Sequence, residues 1–418
     1  MNKSITLILG LVQISGFCSF TALAQTCPAG DLACLGDELA IHGIETSLSI
    51  TSIYQANTKG GLSTNSRRGR WSGSYDFELS ADMQKLLGLE DLSFYMLAEG
   101  GWPDEEGVDG ASVGSFFGVN GDASGNRTLD ITELWFEKAL LDSSLFLRVG
   151  KIDLTGGFEC KGCPVTFDGS AFANDETSQF LNNALVNNPT IPFPDNGLVI
   201  VAYYNPTDSW YIGVGVADAQ ADARETGFRT TFGDEDYFFY IAEAGITPQL
   251  DSENGPLQGA YRIGTWYDPQ DKARLANSSS IKRDDVGFYL SCDQMLCREN
   301  KIDDQGLGIF ARYGWTDSEV EPEVTNFISA GLQYTGIIEG RDEDVLGLGF
   351  AHGTFSNQNT SVFAGDFESA AELYYNAKIC PSLNISPSIQ YVTNPSSSAN
   401  TSHADDAVVL AVRVQMAF

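Results

Sequence analysis

Four residues between positions 128 and 151 have side chains suited to binding a solute that carries hydroxyl groups. Glu133, Trp135 and Glu137 recur at every second position, and Arg148 follows within "LFLRVGK". In a β-strand this spacing places the first three side chains on one face. Carboxylates and a guanidinium supply paired acceptors and donors for hydroxyl groups, while the indole ring stacks on C–H surfaces. The segment therefore predicts a polar, aromatic binding surface, unless Trp135 instead belongs to an interfacial aromatic girdle.

The same alternation supplies further candidates on other segments. An arginine turned to lipid at the middle of a bilayer costs roughly 2–4 kcal/mol, so we expect Arg148, Arg312 and Arg413 to face a wet interior. These arginines would either contact solute or pair with wall carboxylates. An error of one residue in register would move every candidate to the other face. The predicted pore-lining residues are Asp76, Glu78, Glu133, Trp135, Glu137, Arg148, Arg312, Glu372, Tyr374 and Arg413.

The elements that must position these residues are short alternating strands. The final segment, "VVLAVRVQMAF", has one face that is apolar along its whole length and another that is small or polar. A soluble sandwich would bury the apolar face, and a membrane barrel would turn it to lipid. Sixteen such runs are predicted, at 42–55, 68–81, 90–100, 128–141, 143–151, 196–205, 208–218, 236–247, 257–268, 282–292, 305–315, 324–336, 343–355, 365–378, 382–393 and 406–418.

The lengths of the connections favour an all-β, sixteen-stranded antiparallel transmembrane barrel. An even number of strands permits closure without free edges. Long polar links follow odd strands at 101–127, 152–195, 219–235 and 394–405, whereas "LDSS", "NPTDS" and "KICPS" are tight turns. The longest link, 152–195, is predicted to fold into the lumen and constrict it, or otherwise to form an external cap. The link 293–304 is long for a turn and is predicted to hold a small helix or a stapled loop.

The amino terminus has the pattern of a secretory signal peptide. A basic residue, a short apolar core and "ALA" predict cleavage after residue 24. Residues 25–41 would then precede a barrel formed by 42–418. No later stretch approaches 18 uninterrupted apolar residues, so no transmembrane helix is predicted.

Charge limits the classes of partner. The formal net charge is −32, which argues against nucleic acid because phosphate binding needs Lys and Arg. The excess of carboxylates would either keep long loops soluble or create a negative field that favours cations at a pore mouth. Arg67, Arg68 and Arg70 form a small basic group that would either bind lipopolysaccharide phosphates or remain solvated.

Seven cysteines remain after the predicted cleavage. Their spacing in an oxidising compartment predicts three local disulfides, with free thiols as the alternative, and Cys380 is left over. Redox or zinc chemistry at "CKGC" is disfavoured, because neither a βαβ pattern nor a nearby His accompanies it. The predicted pairs are Cys27–Cys34, Cys160–Cys163 and Cys292–Cys297.

Catalytic and metal motifs are weak. An enzyme with a Ser–His–acid set would have to use His42, His352 or His403, and no G-x-S-x-G motif occurs. The acidic segment 101–110 matches no EF-hand spacing, so we expect an acidic turn there. The chain is therefore predicted to be no enzyme and to need no cofactor or metal.

Several stretches resemble the carbohydrate-selective, OprB-type porins of bacterial outer membranes. They are "LWFEKALLDSSLFLRVGKIDLTGGFE", "FANDETSQFLNNALVNNPTIPFP", "DQGLGIFARYGWTD" and "SPSIQYVTNPSSSANTSHADDAVVLAVRVQMAF". The resemblance implies passive diffusion of small hydrophilic solutes with a preference for mono- or oligosaccharides. A general or cation-preferring porin is the alternative. Sugars, outer-membrane lipid and lipopolysaccharide are the implied partners, and the channel would be a monomer or a trimer. The "CKGC" pair and the Cys292/Cys297 pair depart from the family pattern.

Overall fold

Alternating apolar and polar residues form long antiparallel strands in the structure, which is a computed structural model. It describes residues 35–66, 69–102, 107–123, 125–155, 166–222, 224–225, 227–233, 237–303, 305–317, 319–358, 365–397 and 404–418. The predicted signal peptide and the cysteines at positions 27, 34, 160 and 163 lie outside these ranges, as do Arg67 and Arg68.

Sixteen strands of the described residues form one closed barrel. Each strand pairs with its neighbours in the chain, and the last strand pairs antiparallel with the first. The strands are β1 (Ile44–Gly61), β2 (Gly69–Asp82), β3 (Leu92–Trp102), β4 (Arg127–Leu140), β5 (Leu145–Ile152), β6 (Gly197–Thr207), β7 (Trp210–Asp218), β8 (Phe238–Ile246), β9 (Leu257–Asp268), β10 (Asp285–Arg298), β11 (Gly306–Thr316), β12 (Val324–Thr335), β13 (Val345–Phe355), β14 (Phe367–Cys380), β15 (Leu383–Thr393) and β16 (Asp405–Ala417).

Smaller elements lie in the connections. The helices are α1 (Leu35–Ile41), α2 (Met83–Leu87) and α3 (Asn183–Val186), with a π-helical turn at Asp109–Val113. A two-residue strand, Gln249–Leu250, extends the pairing of β9, and Lys272–Arg274 pairs with Asn277–Lys282 in a separate hairpin. None of the helices among the described residues is long and apolar enough to cross a membrane.

The closing strand explains the apolar carboxyl terminus. In β16, Val409, Ala411 and Arg413 are buried inside the barrel, while Leu410 and Val412 are 45% and 43% exposed on the outside. The pairing of Ile53 with Arg413 sets the register between β1 and β16. The outer face is the apolar one, as a barrel that faces lipid requires.

The connections divide into two classes, as the sequence predicted. Short turns join even strands to odd ones, and the long loops lie at the opposite end, which is the external end of an outer-membrane barrel. The two longest loops are L2 (103–126) and L3 (153–196).

The prediction for 293–304 was wrong. These residues extend β10 to Arg298, and only 299–305 form the turn. Cys292 and Cys297 therefore lie on one strand and are free thiols, as is Cys380. Five residues along an extended strand separate two Cα atoms by roughly 15 Å, about twice the reach of a disulfide. The predicted Cys292–Cys297 bond is thus excluded by strand geometry.

Candidate functional site

The lumen face of the barrel carries all ten predicted residues. Strand pairing sets Glu137 opposite Arg148 on the inside, while Phe136 lies opposite Val149 on the outside. Phe136 is 45% exposed on the outer face. The register therefore agrees with the predicted alternation at Asp76, Glu78, Glu133, Trp135, Glu137, Arg148, Arg312, Glu372, Tyr374 and Arg413.

The described residues of L3 from 166 onward fold into the lumen, as predicted for 152–195. Its Phe180 ring packs against Tyr374 of β14, with ring centroids 4.9 Å apart, and against Phe310 of β11 at 5.8 Å. Leu185 and Ala184 of α3 join the same apolar cluster. L3 thus lies on the inner surface of one side of the barrel rather than over its mouth.

Four of the predicted pore-lining residues lie beneath L3. Arg312, Glu372, Tyr374 and Arg413 are each at most 2% exposed. Arg312 donates from Nη1 to the carbonyl of Leu185 at 2.7 Å. The prediction that these four residues line the solute path is corrected, since they face the lumen but are covered by the loop.

Glu243 and Arg312 hold the beginning of L3. Glu243 on β8 accepts hydrogen bonds from the hydroxyls of Tyr211 and Tyr289, at 2.6 and 2.7 Å, and from the backbone N–H of Asp168 at 3.2 Å. Burial raises the pKa of Asp168 to about 7, while the nearby Arg312 guanidinium opposes that rise. Buried charges paired in this way fix the loop firmly, because leaving either partner alone is costly.

Two wall glycines leave space for L3. A Cβ on Gly314 of β11 would lie 2.0 Å from Oγ1 of Thr190, and one on Gly349 of β13 would lie 2.9 Å from Cδ2 of Leu185. Real Cβ atoms do not approach that closely. The close approach of loop to wall therefore depends on the missing side chains.

L2 is held in a similar way. The carboxylate of Glu368 on β14 accepts hydrogen bonds from Ser115 Oγ at 2.6 Å and from the backbone N–H groups of Phe116, Phe117 and Ser396 at 2.8–3.2 Å. Glu368 is fully buried. It satisfies backbone donors of L2, which would otherwise be unpaired inside the barrel.

The opposite side of the lumen keeps contact with solvent and carries an aromatic strip. We use that name for Tyr95, Trp135, Arg148, Glu137 and Tyr203. Tyr95 and Trp135 stack with centroids 4.9 Å apart, and the guanidinium of Arg148 lies 3.9 Å from the Trp135 centroid. Glu137 accepts from Arg148 at 2.8 Å and from the hydroxyl of Tyr203 at 3.1 Å.

A cavity continues the strip toward the short-turn end of the barrel. Its volume is about 470 Å³, within the range of small-molecule sites. Glu137 and Phe146 line it together with Glu45, Ser80 and Ser93. Phe146 stacks on Tyr203 at 5.2 Å, so aromatic and hydroxyl-binding groups follow one another down the wall.

Carboxylates face the conduit from the wall and from the loop. On the wall, Glu133 accepts from the indole N–H of Trp135 at 3.1 Å, and Asp76 accepts from Ser49 at 2.9 Å. On the loop side, burial raises the pKa of Glu176 to about 7. Repulsion by Asp175, Asp153 and Glu99 adds to that rise. Because the wall carboxylate of Glu99 repels the loop carboxylate of Glu176, this part of the conduit is acidic.

Sequence reasoning missed several members of this surface. Tyr95 and Glu99 alternate with apolar neighbours in "LSFYMLAEG", so the period of two was sufficient to place them on the lumen face. Glu176 lies in a loop, where no periodic pattern applies. Its position depends on contacts between L3 and strands far away in the chain. Among the described residues, no group of three or more His, Cys, Asp or Glu has the arrangement of a metal site.

Comparison with known proteins identifies the family. The sequence profile described as "Carbohydrate-selective porin, OprB family" matches residues 66–418. Porin B of Pseudomonas aeruginosa is 22% identical over 425 aligned positions, covering 93% of this chain and 90% of that protein.

Two solved structures share the fold. The high-pH structure of Pseudomonas putida OprB is 19% identical with a TM-score of 0.75, covering 91% of this chain and 96% of that one. The low-pH structure of the same protein is 20% identical with a TM-score of 0.57, and the alignment covers 93% and 97% of the two chains. The chain belongs to the carbohydrate-selective porin (OprB) family and is a sixteen-stranded channel of the outer membrane.

Proposed function

We propose that sugars cross this channel along the aromatic strip, between the open wall and L3. The observation that carries the proposal is the arrangement around Trp135, whose indole is stacked on Tyr95 and covered by the guanidinium of Arg148. The parts of such a stack that are exposed to the conduit contact the C–H surfaces of a pyranose, and charged groups at its edges bind the hydroxyls. Glu133 and Glu137 supply such edges.

The strip suits weak, repeated binding rather than tight capture. The side chains of Tyr95, Trp135, Arg148 and Glu137 are partly exposed, whereas Tyr203 is buried. These side chains are already bonded to one another, so a passing sugar exchanges hydrogen bonds instead of filling empty ones. Conduction requires binding that is favourable enough to enter and weak enough to leave. The cavity lined by Glu137 and Phe146 extends the path toward the periplasmic end.

Cation preference is a second property that the acidic conduit supports. Wall carboxylates such as Glu99 face loop carboxylates such as Glu176, and the low-dielectric walls between them focus the negative field. Rings of Asp and Glu favour cations in channels. We therefore infer that the channel conducts cations better than anions and admits amino sugars better than uronates.

We also propose that the chain has no catalytic role. His352, the only histidine that was a plausible base, lies on the outer face of β13, where its Nδ1 is 2.8 Å from Oγ of Ser369 on β14. That position faces lipid rather than the conduit. Sugar hydrolysis by the purified protein, abolished by His352→Gln, would contradict this part of the proposal.

Planar-bilayer recording tests the sugar path. The purified full-length protein is inserted, and the single-channel current is measured as glucose is added from either side. Glucose should reduce the current in a saturable manner, because a bound sugar obstructs the ions that share the conduit. A current that changes only in proportion to solution viscosity would overturn the proposal.

A further inference from the structure

Residues 175–182 of L3, here called the loop tip, are bonded to five wall side chains. Arg413 donates from Nη1 to the carbonyl of Glu176 at 2.6 Å and from Nη2 to the carbonyl of Gln179 at 2.9 Å. Glu372 accepts from the backbone N–H groups of Leu181 and Asn182, at 3.0 and 2.9 Å. The barrel therefore binds the loop tip through its backbone.

Two polar side chains support this attachment. Asn376 of β14 donates to the carbonyl of Ser178 at 2.9 Å, and Gln415 of β16 donates to Oγ1 of Thr177 at 3.0 Å. These four strand residues thus contact nearly every position of the loop tip. A loop that only rested on the wall would not need so many directed bonds.

The two charged wall residues have opposite requirements. Arg413 accepts no hydrogen bonds and needs carbonyl oxygens, whereas the carboxyl oxygens of Glu372 accept from N–H donors. Each is only 1% exposed, so each depends on the loop and on the other's charge to offset the cost of burial. If the loop shifted along the wall, the Arg413 guanidinium would face backbone N–H donors and the Glu372 carboxyl would face carbonyl oxygens. The pair therefore fixes the register of the loop tip.

L2 strengthens the same arrangement. Gln390 of β15 donates to the carbonyl of Val119 in L2 at 2.8 Å and accepts from the side chain of Asn182 in L3 at 3.1 Å. The backbone N–H of Gly121 donates to the carbonyl of Leu181 at 2.7 Å. The two loops form one unit whose position is decided by β14, β15 and β16.

The consequence is the position of Glu176. Its carbonyl is bonded to Arg413, and its side chain is partly exposed and lies against Gly121 of L2. Glu99 and Asp153 repel its carboxylate. We propose that Arg413 and Glu372 are positioning residues for permeation: they set the width and the charge of the constriction by holding Glu176 in the conduit. Solutes touch neither residue. The proposal deepens the proposed function. It rests on the proposed sugar path only for effects on sugar flux, and not for effects on ion conductance or ion selectivity.

Arg413→Gln tests the proposal, because its two effects differ in sign. Loss of a positive charge from the wall would by itself raise the cation-to-anion permeability ratio. Release of the loop tip would instead withdraw Glu176 and widen the conduit, and the ratio would fall. We expect the second result, with the ratio lower by about twofold or more and a larger single-channel conductance.

The measurement is the reversal potential across a KCl gradient, made on protein whose folding is checked by heat-modifiable electrophoretic mobility. Arg413→Lys keeps one donor and the charge, so it should largely restore the wild-type ratio. Glu368→Gln is the matched control: it lies on the same strand as Glu372 but is bonded to L2 at residues 115–117, away from the L2 positions that meet the loop tip, and it should shift the ratio much less. Glu372→Gln is a nearly isosteric substitution that should also release the loop tip.

A double-mutant comparison shows whether Arg413 acts through Glu176. In a Glu176→Gln background, Arg413→Gln should still raise the conductance but should no longer lower the permeability ratio. A folded Arg413→Gln channel with wild-type conductance and ratio would overturn the proposal, and so would an equal shift of the ratio in both backgrounds. If glucose did not affect the wild-type current, only the proposed sugar path would be refuted. The single-channel conductance and the permeability ratio, which test the roles of Arg413 and Glu372, do not depend on sugar.

Discussion

The guanidinium of Arg148 lies over the indole of Trp135, 3.9 Å from the ring centroid, and is held there by the carboxylate of Glu137 at 2.8 Å. The pair joins β4 to β5 across the lumen face. A cation over an aromatic ring contributes about 0.5–2 kcal/mol. The ion pair adds orientation, so the indole presents a fixed surface to the conduit. The predictions below start from this surface.

Trp135→Ala should weaken sugar binding without closing the channel. Aromatic contacts contribute about 0.5–1.5 kcal/mol beyond buried area, so the glucose concentration that half-blocks the current should rise by about twofold to tenfold. Glucose titration of single-channel current measures it. Phe136→Ala, one residue away on the lipid-facing side, is the control and should leave the titration unchanged. Equal effects of the two substitutions would contradict the assignment of the strip to the solute path.

Arg148→Gln should make the channel more selective for cations. The substitution leaves the Glu137 carboxylate in the conduit without its cationic partner, so the local field becomes more negative. The reversal potential across a KCl gradient should move further toward the potassium equilibrium value. Arg148→Lys retains the charge and should keep the wild-type reversal potential, yet it loses the planar contact with Trp135 and should weaken glucose block. An unchanged or reduced cation preference in Arg148→Gln would show that Arg148 lies outside the ion path.

Cation preference should depend on pH near neutrality. Burial, together with the negative charges of Asp175, Asp153 and Glu99, raises the pKa of Glu176 to about 7. Above that pKa the carboxylate is ionised and attracts cations; as pH falls through it, the group takes up a proton and the preference declines. Reversal potentials measured between about pH 5 and pH 8 should show this step, whereas an ordinary Glu titrates near pH 4.3.

Glu176→Gln is the matched variant for the pH step. It keeps the shape of the side chain and removes its titration, so the step near neutrality should disappear. Persistence of the step in that variant would assign it to another group of the conduit.

Gly314→Ala should loosen the base of L3. The new Cβ would lie 2.0 Å from Thr190 Oγ1, so the loop must move away from β11. Overpacking of this kind costs about 1–3 kcal/mol, and we expect a lower thermal midpoint together with a larger conductance. Gly213→Ala is the control, because its Cβ would meet Phe167 at 3.5 Å, an ordinary contact. Similar midpoints for the two variants would show that L3 is not tightly packed at Gly314.

The strands and the lumen face were predictable because a period of two fixes them locally. Arg148, Glu133 and Trp135 face the lumen as their alternation indicated, and all sixteen strands occur near their predicted positions. The error at 293–304 arose because Cys297 and its neighbours were interpreted as a loop. Pairing with β11 holds them in an extended strand instead.

Which lumen residues meet solute could not be predicted in the same way. Arg312 and Arg148 have equivalent patterns in the sequence, yet one is buried under L3 and the other lines the conduit. The difference is decided by where a 44-residue link folds, and that depends on bonds to strands more than a hundred residues later, such as Arg413 to Glu176. Periodicity within one strand contains no information about such contacts.

Liposome swelling tests the central claim most directly. Proteoliposomes that contain the full-length protein are diluted into isosmotic glucose, glucosamine or glucuronate, and the initial swelling rates are compared with those of empty liposomes. A conduit with an aromatic strip between acidic surfaces predicts swelling in glucose and glucosamine and much slower swelling in glucuronate. Rates in all three solutes equal to those of empty liposomes would contradict the account.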